Sequence, residues 1–211
     1  MWTDRSFFQN TVNLVFGSLA HKVPADFIED RERLRGAKFD VPAMTAAIPQ
    51  MRDQFRAHVA WIDTQLGDER IWLAGEAPSL IDVDAYMNLW YVRAHLDNAD
   101  EMLGEFDHTR AWAGRLRAIG HGQRTEMSTA EALEIGTRAS PLTEELSDPN
   151  DPNGRKVGDT VDVMPDDYGK VRVRGEIVAL SPQHIAIRRR DEKAGEVVVH
   201  FPRAGFLVIP V

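Results

Sequence analysis

The sequence predicts an α+β chain: an all-helical bundle followed by a small all-β barrel. Three observations carry this. Apolar residues recur at helical spacing up to about residue 140. They recur at period two beyond residue 157. A Pro/Asx-rich run, Ser147-Asp148-Pro149-Asn150-Asp151-Pro152-Asn153-Gly154, separates the two regimes and breaks both helix and strand. The expected division is a helical domain at 1–146, a linker at 147–156 and a β domain at 157–211.

Taken in order, the opening segment carries Phe7, Phe8, Val12, Leu14, Val15 and Phe16 and reads as a helix apolar around most of its circumference. Asp4, Gln9, Asn10 and Asn13 interrupt it, so it is neither a membrane span nor a secretory leader, and the cytoplasm is the expected compartment. Phe55, Val59, Ile62 and Leu66 form a core stripe. Leu80, Val83, Met87 and Trp90 read the same way, and Trp112, Leu116 and Ile119 form a shorter one. Two helix starts are marked chemically. Ser79-Leu80-Ile81-Asp82 and Ser128-Thr129-Ala130-Glu131 are capping boxes, in which the serine caps the helix and the acid reaches back to the serine N–H. Pro141 and the linker end the last helix.

In the second half Val161 and Val163, then Val171 and Val173, then Ile185 and Ile187 alternate with polar residues. Val197-Val198-Val199 and Phe206-Leu207-Val208-Ile209 are continuous apolar runs. Turn residues at 165–169, 181–182, 193–195 and 202–205 separate them. Five short strands with tight turns suggest an SH3-like or OB-like barrel.

Composition excludes several chemistries. The 211 residues contain no cysteine, which removes disulfides, a thiol nucleophile and cysteine-based zinc sites. No HExxH, GxSxG, P-loop or GxGxxG motif is present, so no metal site and no catalytic residue is expected. Net charge is −8 and belongs to the first half, because residues 148–211 hold 10 basic and 10 acidic side chains. The balance argues against nucleic-acid binding as a general activity. The one basic run, Arg188-Arg189-Arg190, could form a nucleic-acid face with Lys170, Arg172 and Arg174, but Asp191-Glu192 follows it directly. A solvated hairpin turn is the plainer reading. His121, between Gly120 and Gly122, reads as a turn histidine.

One ordered set of motifs is more specific. Ile62-Asp63-Thr64-Gln65-Leu66 ends a helix, Leu73-Ala74-Gly75-Glu76-Ala77-Pro78 forms a loop, and Ser79-Leu80-Ile81-Asp82 starts the next helix. Together they resemble the C-terminal all-helical domain of glutathione S-transferases, over about residues 2–140. The segment 119–127 resembles a bacterial subgroup with an extra C-terminal β module. The resemblance implies a small-molecule transferase in which the first helix lines the hydrophobic-substrate pocket, through Arg5, Phe8 and Val12 on one face. Core packing of Phe8 and Val12 with a solvated Arg5 is the ordinary reading of the same stripe. Tyr86, Trp90 and Tyr91 read as packing residues. In the family the acid at Asp82 is structural, and a cap alone predicts a cost of about 0.5–2 kcal/mol or more for Asp82→Ala.

The family's glutathione site and catalytic residue lie in an N-terminal thioredoxin-like domain. Met1 falls where that domain would already have ended. The expectation is therefore a chain that binds no cofactor itself, with glutathione implied by resemblance only. The thioredoxin-like domain would be truncated from this sequence, absent from the gene, or supplied in trans. Such a chain would contribute a substrate wall and a homodimer surface and be inactive alone. The alternative is a non-enzymatic binding module, with a protein partner on the helical half and a peptide or nucleic acid on the barrel.

Overall fold

A computed structural model describes residues 2–142 and 146–211. A π-helical turn, Trp2–Phe7, leads into α1 (Phe8–Ser18), a 3-10 turn (Ala20–Lys22), α2 (Ala25–Arg35), α3 (Val41–Ala46), α4 (Ile48–Leu66), α5 (Leu80–His95), α6 (Ala99–Met102), α7 (Asp107–Ile119) and α8 (Thr129–Arg138). Five strands follow: β1 (Thr160–Pro165), β2 (Val173–Leu180), β3 (His184–Asp191), β4 (Gly195–Pro202) and β5 (Phe206–Pro210). The chain divides into two units. The first runs through Glu32 and continues over Ala37–Arg124; the second holds Arg33–Gly36 and Thr125–Val211.

The helical unit is organised by α4. Phe55, Val59, Ile62 and Leu66 are all buried, as their spacing predicts, and α1 supplies Leu14 and Val15 to the same core. At Gly17 the backbone of α1 meets α3 so closely that a Cβ would stand 2.6 Å from the Met44 carbonyl oxygen. Glycine there is a packing requirement, because any side chain would overlap that oxygen.

The expected stripe on α5 is wrong. Leu80 is 74% exposed, Val83 55% and Trp90 51%. The buried face is instead Asp82, Ala85, Asn88, Leu89 and Val92. Both faces of α5 carry apolar side chains, so periodicity alone cannot choose between them. Polar Asp82 is buried with both carboxylate oxygens hydrogen-bonded, and Asn88 is half satisfied: its Nδ2 donates to the Thr3 and Asp84 carbonyls at 3.1 and 3.2 Å, while its buried Oδ1 has no partner among the described residues. Trp90 is therefore not a core packing residue, whereas Tyr86 and Tyr91 pack against the core half-buried. On α7, Trp112 and Leu116 are buried but Ile119, in the last turn, is 59% exposed.

In the second unit the strands form one antiparallel sheet in the order β4-β3-β2-β1-β5. Its core is Val161, Val163, Ile177, Leu180, Ile185 and Ile187. Among the described residues no ladder joins β4 to β5, so the sheet has two edges rather than a closed ring of hydrogen bonds. The second strand begins later than its alternation suggests. Val171 lies ahead of β2 and is 63% exposed, held in a tight turn by its N–H bond to the Gly169 carbonyl. A bulge between Ile177 and Ala179 then sets Leu180 opposite Ile185, which restores the apolar face after one extra residue.

The segment 147–156 is built onto this unit. The Leu180 N–H donates to the Leu146 carbonyl at 3.0 Å, and Asp151 is buried.

Candidate functional site

The first feature with chemical content is a buried carboxylate. The loop after α4 turns back on itself through reciprocal backbone bonds between Trp72 and Gly75, at 2.9 and 3.0 Å. Gly75 has φ of +125°, a conformation open to glycine and strained for other residues. This turn delivers the Leu73 N–H to Asp82 Oδ1 at 2.8 Å. Trp112, from α7, donates its indole N–H to the same oxygen at 2.9 Å. Asp82 Oδ2 accepts the Ser79 N–H at 2.9 Å and the Ser79 hydroxyl at 2.7 Å, forming the expected box. Burial alone would raise the Asp82 pKa. Four hydrogen bonds to the charged form outweigh it and hold the carboxyl below its ordinary value. With four donors engaged, Asp82 ties the loop, α5 and α7 together. The second box, Ser128 with Glu131, also forms: Glu131 accepts from the Ser128 N–H at 2.8 Å, and Ser128 Oγ accepts the Glu131 N–H at 3.2 Å.

The second feature is an aromatic hollow of about 290 Å³, lined by Trp2, Trp61, Ile62, Gln65, Leu73 and Ile81. Trp61 is 59% exposed at its edge. Behind it lies His58, buried on the inner face of α4, with its ring 5.0 Å from Phe7 and 4.9 Å from Trp61. The Trp2 indole N–H donates to His58 Nδ1 at 2.9 Å. An indole can only donate, so Nδ1 is unprotonated and the proton of the neutral ring is on Nε2. Nε2 stands 3.2 Å from Asn10 Nδ2, so a proton on Nε2 requires the Asn10 amide turned over to present its oxygen to the ring. Burial pushes the His58 pKa down. The Trp2 and Trp61 rings stand 6.2 Å apart at 43°, in contact with each other, so the hollow suits a flat apolar molecule laid against their exposed edges; its lining holds no nucleophile.

Arg5, Phe8 and Val12 do not line this hollow. Arg5 is exposed, and Phe8 and Val12 are half-buried beside the buried face formed by Phe7, Thr11, Leu14 and Val15. The π-helical turn contributes, because its wider winding displaces residues 2–7 from the α-helical register on which that face was drawn. Sequence reasoning missed His58 and the Trp2–Trp61 pair. The signal was present: His58 falls on the same face as Phe55, Val59 and Ile62, a polar residue inside an apolar stripe.

The basic run is not a hairpin turn. Arg188, Arg189 and Arg190 lie within β3, opposite Val198, Val197 and Glu196. Successive strand residues point to opposite faces, so the three do not form one patch. Asp162 binds Arg174 at 2.8 and 3.0 Å and meets Arg172 at 3.5 Å, and Arg188 stands 3.6 Å from Glu196. His121 is exposed in the segment between α7 and α8. Among the described residues no group of three or more His, Asp or Glu side chains could hold a metal ion, and no helix is long and apolar enough to cross a membrane.

Residues 45–115 match the family model for the glutathione S-transferase C-terminal domain. This span contains α4, the Trp72–Gly75 turn, Asp82 and Trp112. A solved structure of a GST-like protein from Pseudomonas syringae aligns with 100% of this chain at 28% identity and a TM-score of 0.75. The alignment thus takes in the sheet as well as the helices. The chain spans 66% of that protein's length, just under two thirds. No curated protein sequence matches the chain. Residues 45–115, which contain Asp82, are thus similar to the C-terminal domain of glutathione S-transferases, and the chain as a whole has the fold of a GST-like protein.

Proposed function

We propose that this is a glutathione S-transferase-like protein whose helical unit supplies the apolar wall for an electrophilic substrate. The carrying observation is the Trp2–Trp61 hollow, an aromatic recess without a nucleophile beside an exposed indole. In this reading Arg5 on the π-helical turn and Phe8 and Val12 on α1 extend the wall. Glutathione, its thiolate-activating group and the thioredoxin-like domain that holds them come in cis or in trans. In this reading the 211-residue chain alone has no transferase activity, because the thiolate-activating group is supplied by another domain. Conjugation of glutathione to a chlorodinitrobenzene by the purified chain, above the uncatalysed rate, would overturn this.

A second reading, a non-enzymatic binding module, is favoured by one observation: the outward stripe Leu80, Val83 and Trp90 on α5. Large apolar residues aligned in the open mark an interaction surface. A homodimer or a thioredoxin-like partner could cover it. Calorimetry with a flat aromatic electrophile separates the two readings: saturable heat that Trp61→Ala abolishes supports the substrate wall, and silence supports the module. For the sheet we favour an SH3-like barrel, in keeping with the placement of the last strand beside the first. The paired arginines on its surface favour a protein or small-molecule role over nucleic acid. A cytoplasmic location fits this reading.

A further inference from the structure

The second unit contains a cleft of about 780 Å³ between the Pro/Asx-rich segment, the Ser181-Pro182 turn and β5, a volume that suits a small ligand. One wall is charged. Asp151 has a side chain only 1% exposed, and its Oδ1 accepts the N–H groups of Asn153 and Arg155 at 3.0 and 3.1 Å. Its Oδ2 meets Arg155 at 3.4 Å and both terminal nitrogens of Arg203 at 3.3 Å. Good charge-assisted bonds are about 2.7–2.9 Å long, so these contacts are loose. The two arginine side chains are 13% and 18% exposed, and Arg155 Nε is buried with no acceptor.

The balance is incomplete. One carboxylate faces two guanidinium groups, which carry about ten N–H donors between them. The three groups therefore sum to one positive charge in a site only partly open to solvent. Asp148 also borders the cleft, but it is half-exposed and its Oδ1 accepts the Asn150 N–H within its own turn. Buried unbalanced charge is costly, and a second carboxylate would offset it. Asn150 and Ser181 add polar atoms, and the wall along β5 is apolar, formed by Phe206, Leu207, Val208 and Ile209 with Pro182 beside it.

We propose that this cleft is a binding site for a small amphipathic carboxylate. The carboxylate bridges Arg155 and Arg203, and the hydrocarbon chain lies along β5. Recognition is bidentate at the arginines, which favours a planar carboxylate over a point anion.

The test is calorimetry on the full chain with sodium octanoate, with octanol as the uncharged control and amide NMR to locate the contact. The expected result is saturable octanoate binding, at least tenfold weaker octanol binding, and shifts confined to residues around 151–155 and 203–209. Arg203→Gln should weaken octanoate at least tenfold. Asp151→Asn should tighten it, because an amide oxygen keeps the Asn153 and Arg155 N–H bonds while both guanidinium groups are released. These opposite signs separate the site from adventitious apolar binding. If Arg203→Gln fails to fold, the octanol comparison and Asp151→Asn still decide. No saturable binding, equal binding of octanol, shifts centred on Trp61, or unchanged affinity in Asp151→Asn would each overturn the proposal.

Discussion

Replacing Asp82 by alanine removes the acceptor of four hydrogen bonds at once, from Leu73, Trp112 and the N–H and hydroxyl of Ser79. Two of these donors have no access to water as a substitute. Trp112 is 0% exposed and Leu73 4%. An orphaned buried donor costs about 1–3 kcal/mol. The half-buried Ser79 adds the smaller loss of a helix cap, about 1 kcal/mol. The expected total is about 3–7 kcal/mol, above what a capping residue alone would cost. Ser79→Ala is the matched control: it removes one donor and leaves the carboxylate paired, for about 1 kcal/mol. Both variants can be followed by urea unfolding with tryptophan emission. All five tryptophans lie between residues 2 and 112, so the signal reports the helical unit. A loss below about 1 kcal/mol for Asp82→Ala, or one equal to that of Ser79→Ala, would refute the view that this carboxylate joins three elements.

Further outcomes follow from other residues. The folded-state pKa of Asp82 lies below its unfolded value of about 3.9, so its contribution is complete above that pH and is lost as pH falls through the folded value. Asp82→Asn should flatten the acid limb of the stability profile, and an unchanged limb would contradict this. His58 is likewise depressed, so its neutral form stabilises fully above about pH 6.5 and the contribution is lost as pH falls through the lower folded value. The Trp2 indole N–H resonance should weaken or shift on acidification below about pH 6.5; one that stays fixed down to unfolding would count against the Trp2–His58 bond. Gly17→Ala should cost about 1–3 kcal/mol in chemical denaturation, because the new Cβ meets the Met44 carbonyl. Leu80→Gln should change monomer stability by less than about 0.5 kcal/mol, whereas Phe55→Ala should cost about 3–5. A large loss at Leu80 would restore the packing role that its spacing suggests.

The sequence by itself determined the class and order of the elements. The α4 stripe, both capping boxes and the strand-separating turns are local signals, set by side-chain period and by backbone groups within three or four residues of one another. The loop-and-box motif pointed to the family for the same reason, since Ser79 and Asp82 satisfy each other within one turn. Tertiary structure decided which face of α5 is buried. Its apolar side chains fit either orientation, and the choice rests on donors far along the chain: Trp112 for Asp82 and, in the reverse sense, the Thr3 carbonyl for Asn88. It also decided that Arg188, Arg189 and Arg190 lie along a strand, because register follows from pairing with Glu196–Val198. The Trp2–His58 bond spans 56 residues, and the cleft joins Asp151 to Arg203 across 52. Period and propensity act over a few residues, while a site is made by atoms that only folding brings within about 3.5 Å of one another.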